Sequence, residues 1–205
     1  ADTAPPTVPS GVLATPVSAT RIDLSWTGST DNVGVARYLV YRDGVQVAIV
    51  TGTSHTDTGL QPSTAYGYTV SAQDAANNTS APSTTVTGTT AADTTAPACT
   101  VTVPASGATV SGAAVAVSAT ASDDVGVAGV QFLLDGASLG SEVSGSPYGT
   151  VWDTTVAANG PHSLGCRARD GAGNTSGGIG ISVTVDNADT APPTVPSGVL
   201  ATPVS

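Results

Sequence analysis

Apolar and polar residues alternate with a period of two along much of the chain. Ile22, Leu24 and Trp26 interleave with Arg21, Asp23 and Ser25, and Val115, Val117 and Ala119 interleave with Ala116, Ser118 and Thr120. That is the period of a half-buried strand, and no stretch carries the 3.6-residue period of an amphipathic helix. Short Val- and Thr-rich runs are separated by turn sequences: RDGVQ at 42–46, LDGAS at 134–138 and ANGPH at 158–162. Their Asp-Gly and Asn-Gly pairs have the backbone freedom that a tight hairpin needs. Many short strands with regular turns predict an all-β chain built as sandwiches.

One junction sequence recurs three times, as Ala1-Asp2-Thr3-Ala4-Pro5, Ala92-Asp93-Thr94-Thr95-Ala96-Pro97 and Ala188-Asp189-Thr190-Ala191-Pro192. It predicts a first domain over 1–92, a second over 93–187 and, over 188–205, the first strand of a following repeat. Those last eighteen residues repeat the first eighteen without a substitution. The expectation is one 187-residue unit plus the start of the next, a window on an array. The absence of methionine agrees with a fragment or a processed product. Proline at the start of a first strand suits an exposed sheet edge, because it withholds a donor from unwanted pairing.

Composition changes the picture in one respect, the charge. Only 10% of residues are charged against about 25% in an average domain, while 40% are hydrophobic. The surface must therefore be covered by Thr, Ser, Asn and Gln, and ion pairs should add little to stability. Every acid except Glu142 is aspartate and all five cations are arginine, for a net charge of −10. A surface of that sign repels polyanions, which excludes nucleic acid as a partner class and disfavours anionic membrane. No apolar run reaches the roughly 18 residues that would span a bilayer, so membrane insertion is not expected in this window. Without lysine, Lys-Asn isopeptide crosslinks are also excluded.

Two resemblances follow from longer stretches. Residues 5–90 resemble a bacterial fibronectin type III domain through ATRIDLSWTGSTDNVGVARYLVYRDGVQ and GLQPSTAYGYTVSAQDAANNTSAPS. The resemblance implies that Trp26 is the core aromatic of the second strand and that Tyr66, in GLQPSTAY at 59–66, forms a tyrosine corner. Residues 96–186 are similar to a bacterial Ig-like domain through PASGATVSGAAVAVSATASDDVGVAGVQFLLDGASLG and WDTTVAANGPHSLGCRARDGAGNTS. The implied architecture is two tandem β-sandwiches, fibronectin type III and then Ig-like. Here Cys99 lies in the first strand and Cys166 in the sixth, which departs from antibody-type domains because the second strand has no cysteine. Alternation places both thiols inward, and a disulfide is expected, with two separately buried thiols as the alternative. A disulfide implies an oxidising, extracytoplasmic setting.

Candidate chemistry concentrates in loops that echo one another between the halves. Asp31-Asn32-Val33-Gly34-Val35 matches Asp123-Asp124-Val125-Gly126-Val127, and Asp74-Ala75-Ala76-Asn77-Asn78 matches Asp170-Gly171-Ala172-Gly173-Asn174. In such a sandwich these loops emerge at the end that also receives the incoming linker. Carboxylate and amide oxygens gathered there suit calcium, the one cofactor expected. The candidate ligands are Asp93, Asp123, Asp124, Asp170 and Asn174, and in the first half Asp2, Asp31, Asp74 and Asn78. The alternative is that Asp and Asn are simply what tight turns prefer.

Catalysis has little to work with. His55 and His162 stand near no nucleophile motif, and no strand-turn-helix elbow is present. Eight aromatics in 205 residues leave Trp152, Tyr148 and Tyr41 as possible surface contacts for sugars, with Trp26, Tyr66 and Phe132 reading as core. Asn77, Asn78 and Asn174 each open an Asn-x-Thr/Ser sequon. The leading expectation is therefore a structural repeat unit of an extracellular or cell-surface fibre, filament, stalk or adhesin, without catalysis. Its partners would be neighbouring copies of the same repeat, end to end or lateral. The alternative is a pair of spacer modules in a secreted polysaccharide-degrading enzyme.

Overall fold

The computed structural model describes residues 2–188. The expected start of a following repeat, 188–205, thus lies outside the described residues except for Ala188. The described chain forms two compact units: 2–96 with Asp123–Gly126 and Asp170–Asn174, and 97–122 with Val127–Arg169 and 175–188. Among the described residues no helix is long and apolar enough to cross a membrane.

Seven strands build the first unit: β1 (Ser10–Pro16), β2 (Arg21–Thr27), β3 (Val35–Arg42), β4 (Val45–Val50), β5 (Ser54–Thr58), β6 (Ala65–Asp74) and β7 (Val86–Thr89). They form a three-stranded sheet, β1-β2-β5, and a four-stranded sheet, β4-β3-β6-β7. Alternation in β2 sends Ile22, Leu24 and Trp26 into one core with Tyr38 and Val40 of β3 and Tyr68, Val70 and Ala72 of β6. Burial of Ile22, Leu24, Val40 and Val70 contributes roughly 1.5–3 kcal/mol each through the apolar area removed from water. Trp26 meets the Tyr38 ring edge-on, with centroids 5.5 Å apart. The Tyr38 hydroxyl accepts from the Ser29 amide at 2.8 Å, which ties the chain leaving β2 back onto β3. Tyr66 makes the expected corner, its hydroxyl accepting from the Gln61 amide at 2.9 Å.

The second unit contains β8 (Ala98–Val103), β9 (Thr109–Val110), β10 (Val115–Ser122), β11 (Val127–Leu134), β12 (Ala137–Val143), β13 (Tyr148–Trp152), β14 (Gly160–Asp170) and β15 (Ile179–Val185), with a single 3-10 turn at Thr154–Val156. Its sheets are β13-β10-β8 and β12-β11-β14-β15-β9. The first strand switches sheets midway, since β8 pairs antiparallel with β10 while β9 pairs parallel with β15. Val117 and Ala119 face Phe132, Leu164 and Val183 across the core. Cys99 of β8 and Cys166 of β14 join the two sheets through a disulfide, Cα to Cα 6.1 Å. Trp152 and Tyr148, left by the sequence as possible surface contacts, are buried in this core at 2% and 9% exposure. They are inward positions of β13, and Trp152 lies edge-on to His162.

Asp43-Gly44 and Asp135-Gly136 make the expected two-residue hairpins, between β3 and β4 and between β11 and β12. Asp43 and Gly44, like Asp135 and Gly136, all have positive φ, the geometry that matches strand twist. Asn159-Gly160 differs. It connects β13 to β14, which lie in different sheets, and Asn159 instead holds the end of the unit: its Oδ1 accepts from the Asn187 amide at 2.8 Å. One ion pair also departs from the expectation that such pairs count for little. Arg42 Nη1 meets Asp57 Oδ1 at 2.9 Å, and that carboxylate is 7% exposed.

Candidate functional site

The echoed loops fold alike because each is built on the same two carboxylate devices. After β2, Asp31 Oδ2 accepts from the amides of Val33 and Gly34, both at 2.9 Å. After β10, Asp123 Oδ2 accepts from Val125 at 3.0 Å and Gly126 at 2.9 Å. Gly34 and Gly126 sit at φ 139° and 154°, where a side chain would be strained, which explains the shared Asp-x-Val-Gly.

At the end of β6, Asp74 Oδ1 accepts from the Asn78 amide at 2.8 Å and Oδ2 from Asn78 Nδ2 at 2.6 Å. Asp170 and Asn174 repeat the arrangement after β14, at 2.8 and 2.7 Å. The Asn side-chain nitrogen also reaches back to the carbonyl of the incoming segment, Asp2 O in one case and Asp93 O in the other, both at 3.3 Å. For Asp74, burial pushes the carboxyl up, but the donors from Asn78 and Ala76 outweigh it and hold the group below the ordinary carboxylate range. Asp170 is held low in the same way, by Asn174, Gly173 and Ala172 against burial.

Of the nine predicted calcium ligands, six come together in two clusters. Ligand oxygens of Asp2, Asp31 and Asp74 lie within 4.8 Å of one another, as do those of Asp93, Asp123 and Asp124. Asn78, Asp170 and Asn174 lock the loops, Asn78 against the cluster member Asp74 and Asn174 against Asp170. The turn devices satisfy one oxygen of Asp31 and of Asp123 but leave the other: Asp31 Oδ1, Asp123 Oδ1 and Asp2 Oδ2 are wholly buried with no hydrogen-bond partner.

The sequons have a local explanation as well. Ser80 Oγ accepts from the Ala72 amide at 2.9 Å and Ser176 Oγ from the Ala168 amide at 2.8 Å, so these serines complete backbone pairing along β6 and β14. Sequence reasoning missed Asp43 and Asp135 as positioning groups. Each caps the strand that lies beside its hairpin, accepting from the Gly67 and Ser163 amides at 2.8 Å.

Two β-sandwiches in tandem, with two acidic loop clusters, are the class that fold and site define. The chain carries a fibronectin type III domain over residues 5–89 and a bacterial Ig domain over residues 97–165. Exoglucanase B of Cellulomonas fimi is 41% identical over 212 aligned positions, which take in all of this chain and 19% of that protein. Chitinase A1 of Niallia circulans is 37% identical over 178 positions, covering 85% of this chain and 25% of the chitinase. Chitinase Chi52 of Paenibacillus xylanexedens is 53% identical over 85 positions, 42% of this chain and 16% of the relative. The chain thus spans a quarter or less of the length of each of these relatives. These findings overturn the expectation of a repeat unit of a fibre, filament, stalk or adhesin. An alignment running the whole length of the chain falls within a protein named for hydrolysis of a glucan.

Proposed function

We propose that the chain is a pair of non-catalytic accessory modules in a secreted polysaccharide-degrading enzyme, where it spaces or presents a catalytic domain carried elsewhere on the polypeptide. The observation that carries this reading is the exoglucanase match, which includes both modules in order. The disulfide adds support for secretion, since such bonds persist in oxidising compartments. His162 is occupied structurally, its Nδ1 facing Asp135 Oδ2 at 2.7 Å and its Nε2 facing Ala158 O at 2.9 Å. Of the three aromatics that could stack on sugar rings, Trp152 and Tyr148 are consumed by the core of the second unit and only Tyr41 is left half-buried.

The isolated chain is therefore expected to release no reducing sugar from cellulose or chitin. Deleting residues 2–188 from the parent enzyme should leave turnover of a short soluble oligosaccharide unchanged while lowering the rate on the insoluble polymer. Sugar release by the isolated chain, or an equal loss on both substrates, would contradict the assignment.

A further inference from the structure

We propose that each acidic loop cluster, Asp2 with Asp31 and Asp74, and Asp93 with Asp123 and Asp124, binds one hard divalent cation of the calcium type. Turn formation alone explains why aspartate opens each loop, but not why three carboxylates converge in each cluster. Like charges at that spacing repel, and repulsion grows where water is excluded. Among the described residues, no arginine or histidine forms an ion pair with Asp2, Asp31 or Asp74. Asp74 is itself 1% exposed, with a ligand oxygen within 4.8 Å of those of Asp2 and Asp31.

The independent observation is the set of orphaned oxygens. Asp2 Oδ2 and Asp31 Oδ1 in one cluster, and Asp123 Oδ1 in the other, are removed from water without gaining a donor. An unpaired buried carboxylate oxygen forfeits its hydration, so these atoms call for a ligand that supplies positive charge. The ligand set is made of oxygens alone. Carboxylates without thiolate or imidazole select calcium-like ions over zinc or copper, and calcium completes six to eight contacts with carbonyls and water. An acidic cluster with an orphaned carboxylate oxygen occurs twice, each time at the same Asp-x-Val-Gly turn. The inference holds whether or not the chain serves an enzyme.

The test uses the whole chain, stripped with a chelator and titrated with calcium chloride in a calorimeter, with thermal unfolding followed in both states. Saturable binding is expected, together with a rise of about 5–10 °C in the unfolding transition on adding calcium. Asp31→Asn and Asp123→Asn keep an amide oxygen for the turn and put an NH2 in place of the orphaned oxygen. Each should lose binding at its own cluster, and the double variant should bind none. Absence of binding heat with identical unfolding in calcium and in chelator would overturn the proposal on the unaltered chain, without reference to any variant. Full binding by a folded double variant would overturn it as well.

Discussion

Asp57 occupies a position on β5 where a sandwich ordinarily buries an apolar side chain. It is 6% exposed and accepts from Arg42 Nη1 on both oxygens, at 2.9 and 3.0 Å, and from the Tyr68 hydroxyl at 2.8 Å. Burial first, and then Asp57, push Tyr68 far above the ordinary tyrosine range, so its hydroxyl stays a donor. Arg42 also lies 5.5 Å from the centroid of the Tyr66 ring, which joins the ion pair to the tyrosine corner. Replacing Asp57 by alanine should cost about 3 kcal/mol, the low end for a broken buried pair, because the Arg42 side chain keeps 32% of its surface exposed. Tyr68→Phe removes one donor from that carboxylate and should cost about 1–3 kcal/mol. Urea unfolding of the two variants checks the order. The alternating stretch SHTDT gave no sign of this role, since its residues are all polar and the partners come from β3 and β6. Trp26 and the inward cysteines were legible because each sits at a fixed phase of a strand, and Tyr66 through the resemblance of GLQPSTAY to a fibronectin type III turn.

At the scale of elements, period and turn chemistry specified most of the strands and both Asp-Gly hairpins. They could not specify Asn159-Gly160, where a similar dipeptide joins two sheets, because whether consecutive strands pair is decided by tertiary packing. The acidic loops were legible in kind. Which of their members converge was not: the first cluster takes Asp74 from the loop after β6, whereas the second takes Asp124 from the loop after β10. Two predictions belong at this scale. Cys99 and Cys166 close a loop of 67 residues between the sheets, and replacing both by serine should destabilise the second unit by about 4 kcal/mol in the chain-entropy account, read from its denaturation midpoint. His162 links the start of β14 to the β11–β12 hairpin, and both its ring nitrogens face acceptors. Asp135 first, then the Ala158 carbonyl, raise it above its usual 6.5, so folding favours the imidazolium. The resulting stabilisation is fully present below pH 6.5 and is lost as pH rises through the higher folded value. His162→Gln should therefore lower the midpoint more in mildly acidic than in mildly alkaline buffer. An equal deficit in both would show that the imidazolium contributes nothing beyond shape.

For the molecule as a whole, the fold class and the order of the modules could be read from the chain, but the biological setting could not. An eighteen-residue echo between the ends reads naturally as the seam of an array. Repetition of modules is nevertheless a property that spacers and fibres share, and no residue in a stable sandwich records what is attached to it. The proposed setting rests on relatives that extend far beyond the matched segment. The most direct measurement is to determine the coding sequence on both sides of this chain. The account predicts a glycoside hydrolase catalytic domain on the same polypeptide, with these modules and any further copies beside it. An uninterrupted series of 187-residue copies with no catalytic domain would contradict it.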